Sequence, residues 1–222
     1  MKRIFYLLIF NLSFITSYSQ EKSPELSHYI FPEFTQGVVL MKTGVKYSAL
    51  LNYNSLSEEM IFENEGKKLA IAKEELGQVD TVFIKDRKFF TLNNRFFELI
   101  YHSTSDLYAE HKCRLNYLGK PAAYGGTSKT AASTSASSFY SGGSFYELKL
   151  PDKYETNPYT YYWLKKNGEL NMFINMRQLM KLYDNKKELF KAYVNTHDVK
   201  YNNEVSIVQL IHYLEYKLYL LD

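Results

Sequence analysis

The feature that most constrains this fold is a series of short segments with alternating side chains, separated by turns about ten residues apart. In residues 46–53, for example, apolar or aromatic side chains occupy every second position, which is the period of a β-strand. Gly44 and Gly66 lie in the intervening turns, where a positive φ is easily adopted. Short strands that reverse direction after each turn favour an antiparallel sheet over a parallel one.

Residues 106–117 form the clearest predicted strand. One face carries Leu107, Ala109, His111, Cys113, Leu115 and Tyr117, and the other carries Tyr108, Glu110, Lys112, Arg114 and Asn116. This alternation predicts a sheet with one dry and one solvated side, and it specifies the register of the strand.

The C-terminal part changes from a strand period to a helical period of 3.6 residues. Residues 151–158 contain two prolines and predict a break, after which Asn167-Gly168 is a strong hairpin signal between residues 161–165 and 169–174. Three amphipathic helices follow. Their predicted starts are an N-cap at Asn175, a capping box formed by Asn185 and Glu188, and Asn203, after which Ile207, Leu210, Ile211, Leu214 and Leu218 share one face.

We therefore expect an α+β protein: an antiparallel β-meander, as a partly curled sheet or open barrel, with a small C-terminal three-helix cap. The predicted boundaries are a signal peptide at residues 1–19, a lead-in segment at 20–36, a β-rich domain at 37–174 and the helical cap at 175–222. Within the β-rich domain, residues 127–144 contain seven Ser and three Thr, which predicts a mobile loop.

The N-terminus has the pattern of a secretory signal peptide. Lys2 and Arg3 precede an apolar run at residues 4–15, and Ser17 and Ser19 supply the small side chains that a signal peptidase needs. The run is too short for a transmembrane helix, which takes about 20 residues. We expect cleavage after Ser19, an exported protein that is periplasmic or secreted, and no transmembrane segment in the mature chain.

The charge balance argues against two classes of partner. Because Lys2 and Arg3 account for two of the 27 basic residues, the remaining chain is almost neutral against its 24 acidic residues. Such a chain offers no strong field to recruit nucleic acid or an anionic membrane. The single cysteine, Cys113, cannot form a disulfide within the chain and fits an oxidising compartment.

Three segments carry a resemblance to a known group of proteins: residues 51–62 (LNYNSLSEEMIF), 79–90 (VDTVFIKDRKFF) and 124–128 (YGGTS). In these segments the chain is similar to uncharacterised exported proteins of Bacteroidota, a family of unknown function. Residues 186–211 resemble the helical tail that many of these proteins carry. The resemblance implies an envelope or secreted location, and it supplies no activity and no functional residue.

His111 and Cys113 share one face of the predicted strand, and imidazole and thiolate are both ligands of soft metals. Two ligands do not make a zinc site, and His102 is the only candidate for a third. A buried thiol and a core histidine bonded to a carbonyl explain the same residues structurally. We expect no metal site and no cofactor.

The sequence contains neither of the hydrolase motifs G-x-S-x-G and H-E-x-x-H. His102 lies close to Ser103, Ser105 and Asp106, although serine and aspartate are also common in turns. We expect no catalytic residues. The alternative is a metal-independent hydrolase of the cell envelope that uses His102 or His111, since catalytic triads are assembled in space rather than in sequence.

Tyr159, Tyr161, Tyr162 and Trp163 are the predicted ligand-binding residues. Amphipathic rings cover sugar or peptide surfaces at low entropic cost. Rings on both faces of one strand do not all fit into one core, so we expect Trp163 to be partly accessible; ordinary core and sheet-rim packing is the alternative. The sequence thus predicts a non-catalytic exported protein that binds or scaffolds an unknown envelope protein or a glycan.

Overall fold

The computed structural model describes residues 28–117, 120–121, 127–128 and 154–216. The predicted signal peptide at residues 1–19 and residues 129–144 of the serine-rich loop lie outside this part of the chain. The strands are β1 (Thr35–Met41), β2 (Lys46–Asn54), β3 (Glu59–Asn64), β4 (Lys67–Ala70), β5 (Val79–Ile84), β6 (Arg87–Leu92), β7 (Arg95–His102), β8 (Asp106–Tyr117), β9 (Lys120–Pro121), β10 (Thr127–Ser128), β11 (Tyr154–Lys166) and β12 (Glu169–Phe173). β9 and β10, the latter at the start of the loop, pair with each other.

The other ten strands form one antiparallel sheet, which confirms the predicted fold class. Their order is β12-β11-β8-β7-β6-β5-β1-β2-β3-β4. β1 to β4 form one meander, and β5 to β8 with β11 and β12 form a second. The pairing of β1 with β5 joins the two. The sheet is open but curled: Tyr53 of β2 and Phe96 of β7 are separated by three strands, yet their ring centroids lie 6.2 Å apart.

Several of the tight turns between neighbouring strands have two successive residues with positive φ, and among them is the predicted hairpin turn at Asn167-Gly168. Asn93 and Asn94 connect β6 to β7 with φ of 51° and 57°, and Asn167 and Gly168 connect β11 to β12 with φ of 52° and 82°. Two successive left-handed residues match the right-handed twist of the flanking strands. Asparagine and glycine are therefore the residues that fix these two registers.

β11 is longer than the sequence analysis predicted, because residues 154–158 belong to the strand rather than to a break. Pro158 lies opposite Cys113 of β8. A proline has no N–H for a second neighbour, but β12 begins to pair with β11 only at Tyr162. Pro158 therefore occupies the equivalent of an edge-strand position, where proline is tolerated.

The helical cap consists of α1 (Met176–Leu182), α2 (Lys187–His197) and α3 (Glu204–Tyr216). None of these helices, nor any other in the described ranges, is long and apolar enough to cross a membrane. The cap covers one face of the sheet, because α3 buries the predicted Ile207, Leu210, Ile211 and Leu214 against Leu107 and Ala109 of β8, Tyr162 and Leu164 of β11, and Phe173 of β12. Leu218 lies outside the described residues.

Two of the three predicted helix starts are confirmed and one is wrong. The Asn203 side chain accepts a hydrogen bond from the backbone N–H of Ser206 (3.1 Å) directly before α3. The Asn175 side chain accepts a hydrogen bond from the backbone N–H of Gln178 (2.9 Å), as expected for the N-cap of α1. The predicted capping box of Asn185 and Glu188 does not form. A 3-10 turn over Asp184–Lys186 includes Asn185, so α2 begins without a side-chain cap.

A second buried cluster fills the concave part of the sheet formed by β1 to β7. Its members are Phe31, Val39, Leu51, Tyr53, Met60, Leu76, Val79, Val82, Ile84, Phe89 and Phe96. The lead-in segment contributes Phe31, whose backbone N–H and carbonyl are both bonded to the Asn52 side chain (3.2 and 2.9 Å). These two bonds hold the lead-in segment against β2.

Candidate functional site

A cavity of about 760 Å³ opens beside the paired strands β8 and β11. Residues of both strands form its wall together with Tyr29 of the lead-in segment and Tyr201, which precedes α3. Sites for small molecules have volumes of about 300–1,000 Å³. The cavity therefore has the size of a ligand site, and it lies at the predicted tyrosine cluster.

Three of the four predicted ligand-binding residues, Tyr159, Tyr161 and Tyr162, line this cavity. Tyr159 and Tyr161 share one side of β11, and their rings meet edge-on with centroids 5.2 Å apart. Tyr162 points to the other side of the strand, where it is 3% exposed and stacks on Phe173. Strand alternation thus divides the cluster, and Tyr159 and Tyr161 are the two half-buried rings that share a side and line the cavity.

Trp163, the fourth predicted residue, is half-buried and does not line the cavity. Its Nε1–H donates a hydrogen bond to Glu110 Oε2 (2.9 Å), and its ring packs edge-on against Phe97 with centroids 5.6 Å apart. Arg95 Nη1 bonds the other Glu110 oxygen (2.6 Å). The indole is therefore fixed by a buried carboxylate on the same side of β11 as Tyr161.

The charged residues of the cavity wall are all basic. They are Arg87, His111, Lys112 and Arg114, and none of the described residues that line the cavity is acidic. Lys112 has carboxylate partners behind the wall, because its Nζ lies 2.6 Å from Glu58 Oε1 and 3.2 Å from Glu110 Oε1. Arg114 instead lies over the Tyr159 ring, with its guanidinium carbon 4.3 Å from the ring centroid.

Arg87, Glu98 and His111 form an ion network behind the cavity wall. Arg87 donates from Nε and Nη2 to the two carboxylate oxygens of Glu98, and His111 Nε2 donates to Oε2 (2.5 Å). Burial acts to raise the pKa of Glu98, but these hydrogen bonds hold it below its usual range. The Glu98 carboxylate is therefore ionised, and both of its oxygens are occupied.

The start of α3 brings a second carboxylate towards this network. Burial raises the pKa of Glu204, and the charge of Glu98 raises it further.

The hydroxyl of Tyr201 donates to the backbone oxygen of Thr160 (2.7 Å) on β11. This bond ties the helical cap to the strand at the cavity wall, so sheet and cap enclose the cavity together.

The structure does not assemble the three ligands of the metal hypothesis. His102 Nδ1 donates to Asp106 Oδ1 (2.5 Å) at the start of β8, where the His102 side chain is 74% exposed. At the strand rise of about 3.3 Å per residue, Asp106 lies about 16 Å from His111. Cys113 is buried further along β8. Within the ranges that the structure covers, no three His, Cys, Asp and Glu side chains are grouped to hold a metal ion.

Two serine hydroxyls that could serve as the nucleophile of a hydrolase, those of Ser105 and Ser55, have other hydrogen-bond partners. Ser105 Oγ donates to the carboxylate of Glu215, and Ser55 Oγ donates to the backbone oxygen of His28 (2.7 Å). Neither of these two serine hydroxyls donates to His102 or His111. The nucleophile–base pair that a serine hydrolase needs is therefore not formed by these groups.

Sequence reasoning missed several residues of the site, among them Tyr29, Arg87, Glu98, Arg114 and Tyr201. One signal was available for Glu98, which interrupts the otherwise apolar and aromatic run of residues 96–100 (FFELI). A charged side chain in such a run needs a buried partner. Tyr29 and Tyr201 reach the cavity from distant parts of the chain, and no local pattern marks them.

Comparison with known proteins does not assign this site. No protein-family model, curated protein or solved structure matches the chain. The similarity to exported proteins of Bacteroidota stays an expectation from the sequence. The chemistry of the cavity is therefore argued from its own residues.

Proposed function

We propose that this protein is a non-catalytic exported binding protein that holds a saccharide in the tyrosine-lined cavity. The observation that carries the proposal is the composition of the cavity wall, which contains Tyr29, Tyr159, Tyr161, Tyr162 and Tyr201. Phenol rings pack on the C–H faces of a sugar, and their hydroxyls bond its hydroxyls. Asn157 and Asn202 add amide donors and acceptors to the same wall.

The construction of the wall supports binding without a large rearrangement. β8 and β11 pair continuously from Asp106 and Lys165 to Tyr117 and Tyr154, which fixes the backbone beneath Tyr159 and Tyr161. The bond from Tyr201 to Thr160 holds the cap side of the wall. A site whose rings are already in place loses little conformational entropy when a ligand binds.

The exported location rests on the N-terminal sequence, with Lys2 and Arg3 before an apolar run and Ser17 and Ser19 at its end. The expectation is that the native protein lacks residues 1–19 and starts at Gln20. Intact-mass measurement on protein recovered from the periplasm or the medium tests this directly. Recovery of a cytosolic chain that retains Met1 would overturn it.

Binding is tested with purified residues 20–222 and a panel of neutral and acidic oligosaccharides. Calorimetry measures the melting temperature of the protein with and without each oligosaccharide. We expect at least one saccharide to raise the melting temperature by a few degrees, and the double substitution Tyr159→Ala/Tyr161→Ala to remove this shift. Tyr47→Ala is the matched control, because Tyr47 is 58% exposed on β2 and does not line the cavity. No shift with any saccharide would exclude the proposal in favour of an envelope-protein partner.

A metal-independent hydrolase is the second candidate function. The pairing of His111 with Glu98 beside the cavity favours it, because a buried carboxylate can orient an imidazole as a base. Hydrolysis of ester or glycoside substrates that is lost in His111→Gln and kept in His102→Gln would support this candidate. Equal background rates for all three proteins would exclude it.

A further inference from the structure

The ion pairs around the cavity leave one basic side chain uncompensated. Arg87 is paired with Glu98, and Lys112 lies between Glu58 and Glu110. Arg114 has no carboxylate partner among the residues that the structure describes. The wall therefore offers a ligand one positive charge that no carboxylate in the described ranges neutralises.

Arg114 is also held in an orientation suited to a carboxylate. Its guanidinium lies 4.3 Å above the Tyr159 ring, and Tyr159 is buttressed in turn by the edge of Tyr161. Stacking on a ring covers the flat face of a guanidinium and turns its N–H groups towards the edge, where Tyr159 and Tyr161 also interact with Arg114 and raise its pKa. Two parallel N–H groups match the two oxygens of one carboxylate.

The rest of the cavity directs an anion towards Arg114 rather than towards Arg87. The Glu98 carboxylate already occupies Nε and Nη2 of Arg87. A ligand carboxylate beside Arg87 would meet the negative charge of Glu98. Beside Arg114 it would meet the exposed guanidinium, Tyr159 and the neutral amide of Asn157, the residue paired with Arg114 across the ladder.

We propose that the cavity binds a saccharide unit that carries one carboxylate, a hexuronate, with the carboxylate on Arg114 and the sugar ring against Tyr159 and Tyr161. This inference rests on the proposed function as a saccharide-binding protein and names its ligand class. A single uncompensated cation selects a monoanionic sugar unit over a neutral one. The stacked rings select a ring-shaped unit over a small inorganic anion.

The test compares trigalacturonate with its methyl ester, which has the same rings and no charge, by calorimetry on residues 20–222. Because a bidentate pair with Arg114 is open to the acid and not to the ester, we expect the acid to bind at least about tenfold more tightly than the ester. Arg114→Gln should remove this difference, because it should weaken binding of the acid at least about tenfold more than binding of the ester. Arg177→Gln is the matched control, since Arg177 is an exposed arginine of α1 that does not line the cavity.

The outcomes separate this inference from the function on which it rests. Equal affinity for acid and ester, or an equal loss of both in Arg114→Gln, overturns the hexuronate while saccharide binding stands. Binding of a neutral saccharide from the wider panel, with no binding of trigalacturonate, has the same meaning. If no saccharide binds at all, both proposals fall together. Circular dichroism of Arg114→Gln that matches the parent spectrum shows that any loss is local.

Discussion

Arg87 and Glu98 are joined by two parallel hydrogen bonds on the inner face of the sheet, where the Glu98 side chain is 5% exposed. The guanidinium also lies over the rings of Phe31 and Phe89, 4.9 and 5.6 Å from their centroids. The pair therefore connects the lead-in segment to β6 and β7 at the back of the cavity. Removing one partner leaves the other charge buried without its counter-ion.

We expect Glu98→Gln and Arg87→Met each to lower the free energy of unfolding by about 2–3 kcal/mol. The double variant should lose at least about 1 kcal/mol less than the sum of the two, because the second substitution removes the stranded charge. Urea unfolding at neutral pH measures all three. Lys191→Ala, which breaks an exposed pair with Glu188, is the control and should cost no more than about 0.5 kcal/mol. Additive losses at positions 87 and 98 would contradict the coupling.

We expect His28 to lower the free energy of unfolding in mild acid. Neither of its ring nitrogens has a hydrogen-bond partner among the described residues, and the side chain is buried. Burial, with a smaller effect of Lys68, lowers the pKa of His28 from 6.5 to about 4. Between these two values the unfolded chain binds a proton that the folded chain does not, so the free energy of unfolding decreases as the pH falls from 6.5 towards 4.

Replacing His28 with leucine should flatten this part of the pH profile. The slope that the histidine contributes in this window is at most about 1.4 kcal/mol per pH unit. Urea unfolding of the parent and His28→Leu at about pH 7.5 and about pH 5 measures the difference. Glu98, whose pKa is lowered on folding, contributes its own loss only below the usual carboxylate range, so the two effects are separable. Parallel profiles for parent and variant would show that folding does not lower the pKa of His28.

The sheet could be predicted from the sequence because each strand carries its own period and each turn its own chemistry. Asn93, Asn94, Asn167 and Gly168 place two hairpins without any knowledge of distant residues. Alternation likewise divides Tyr161 from Tyr162 before the partners of either are known. These features are local, and local patterns are what a sequence shows directly.

The site could be predicted only in part, since its assembly depends on contacts between distant segments. Tyr159 and Tyr161 were visible as a cluster, but the cavity also needs Tyr29 and Tyr201, which the curl of the sheet and the docking of α3 bring together. Pro158 misled the strand assignment because its tolerance depends on where β12 begins to pair. Both the cavity and the strand position of Pro158 therefore depend on residues that are close in space and distant in the sequence.

Gly37 of β1 should not tolerate a side chain. A Cβ at this position would lie 2.5 Å from the backbone oxygen of Phe83 and 2.7 Å from Leu51 Cδ1. The backbone oxygen cannot move away without breaking the pairing of β1 with β5, so we expect Gly37→Ala to destabilise the protein by about 2–4 kcal/mol. Gly77→Ala is the control, because a Cβ there meets nothing within 4 Å, and it should change stability by no more than about 0.5 kcal/mol. Equal melting temperatures for the two variants would contradict the close approach of β1 and β5.

Trp163 is the only tryptophan of the chain, so the tryptophan fluorescence of the protein measures the accessibility of this one ring on β11. Because its ring is half-buried and its Nε1–H is bonded to Glu110, we expect acrylamide to quench it less than a free indole and more than a fully buried one. Glu110→Gln removes a charge that also holds Arg95, so the ring should become more mobile and more strongly quenched. Glu188→Gln, an exposed carboxylate of α2, is the control and should leave quenching unchanged. Quenching of the parent as weak as that of a buried indole would mean that Trp163 is covered by another part of the protein.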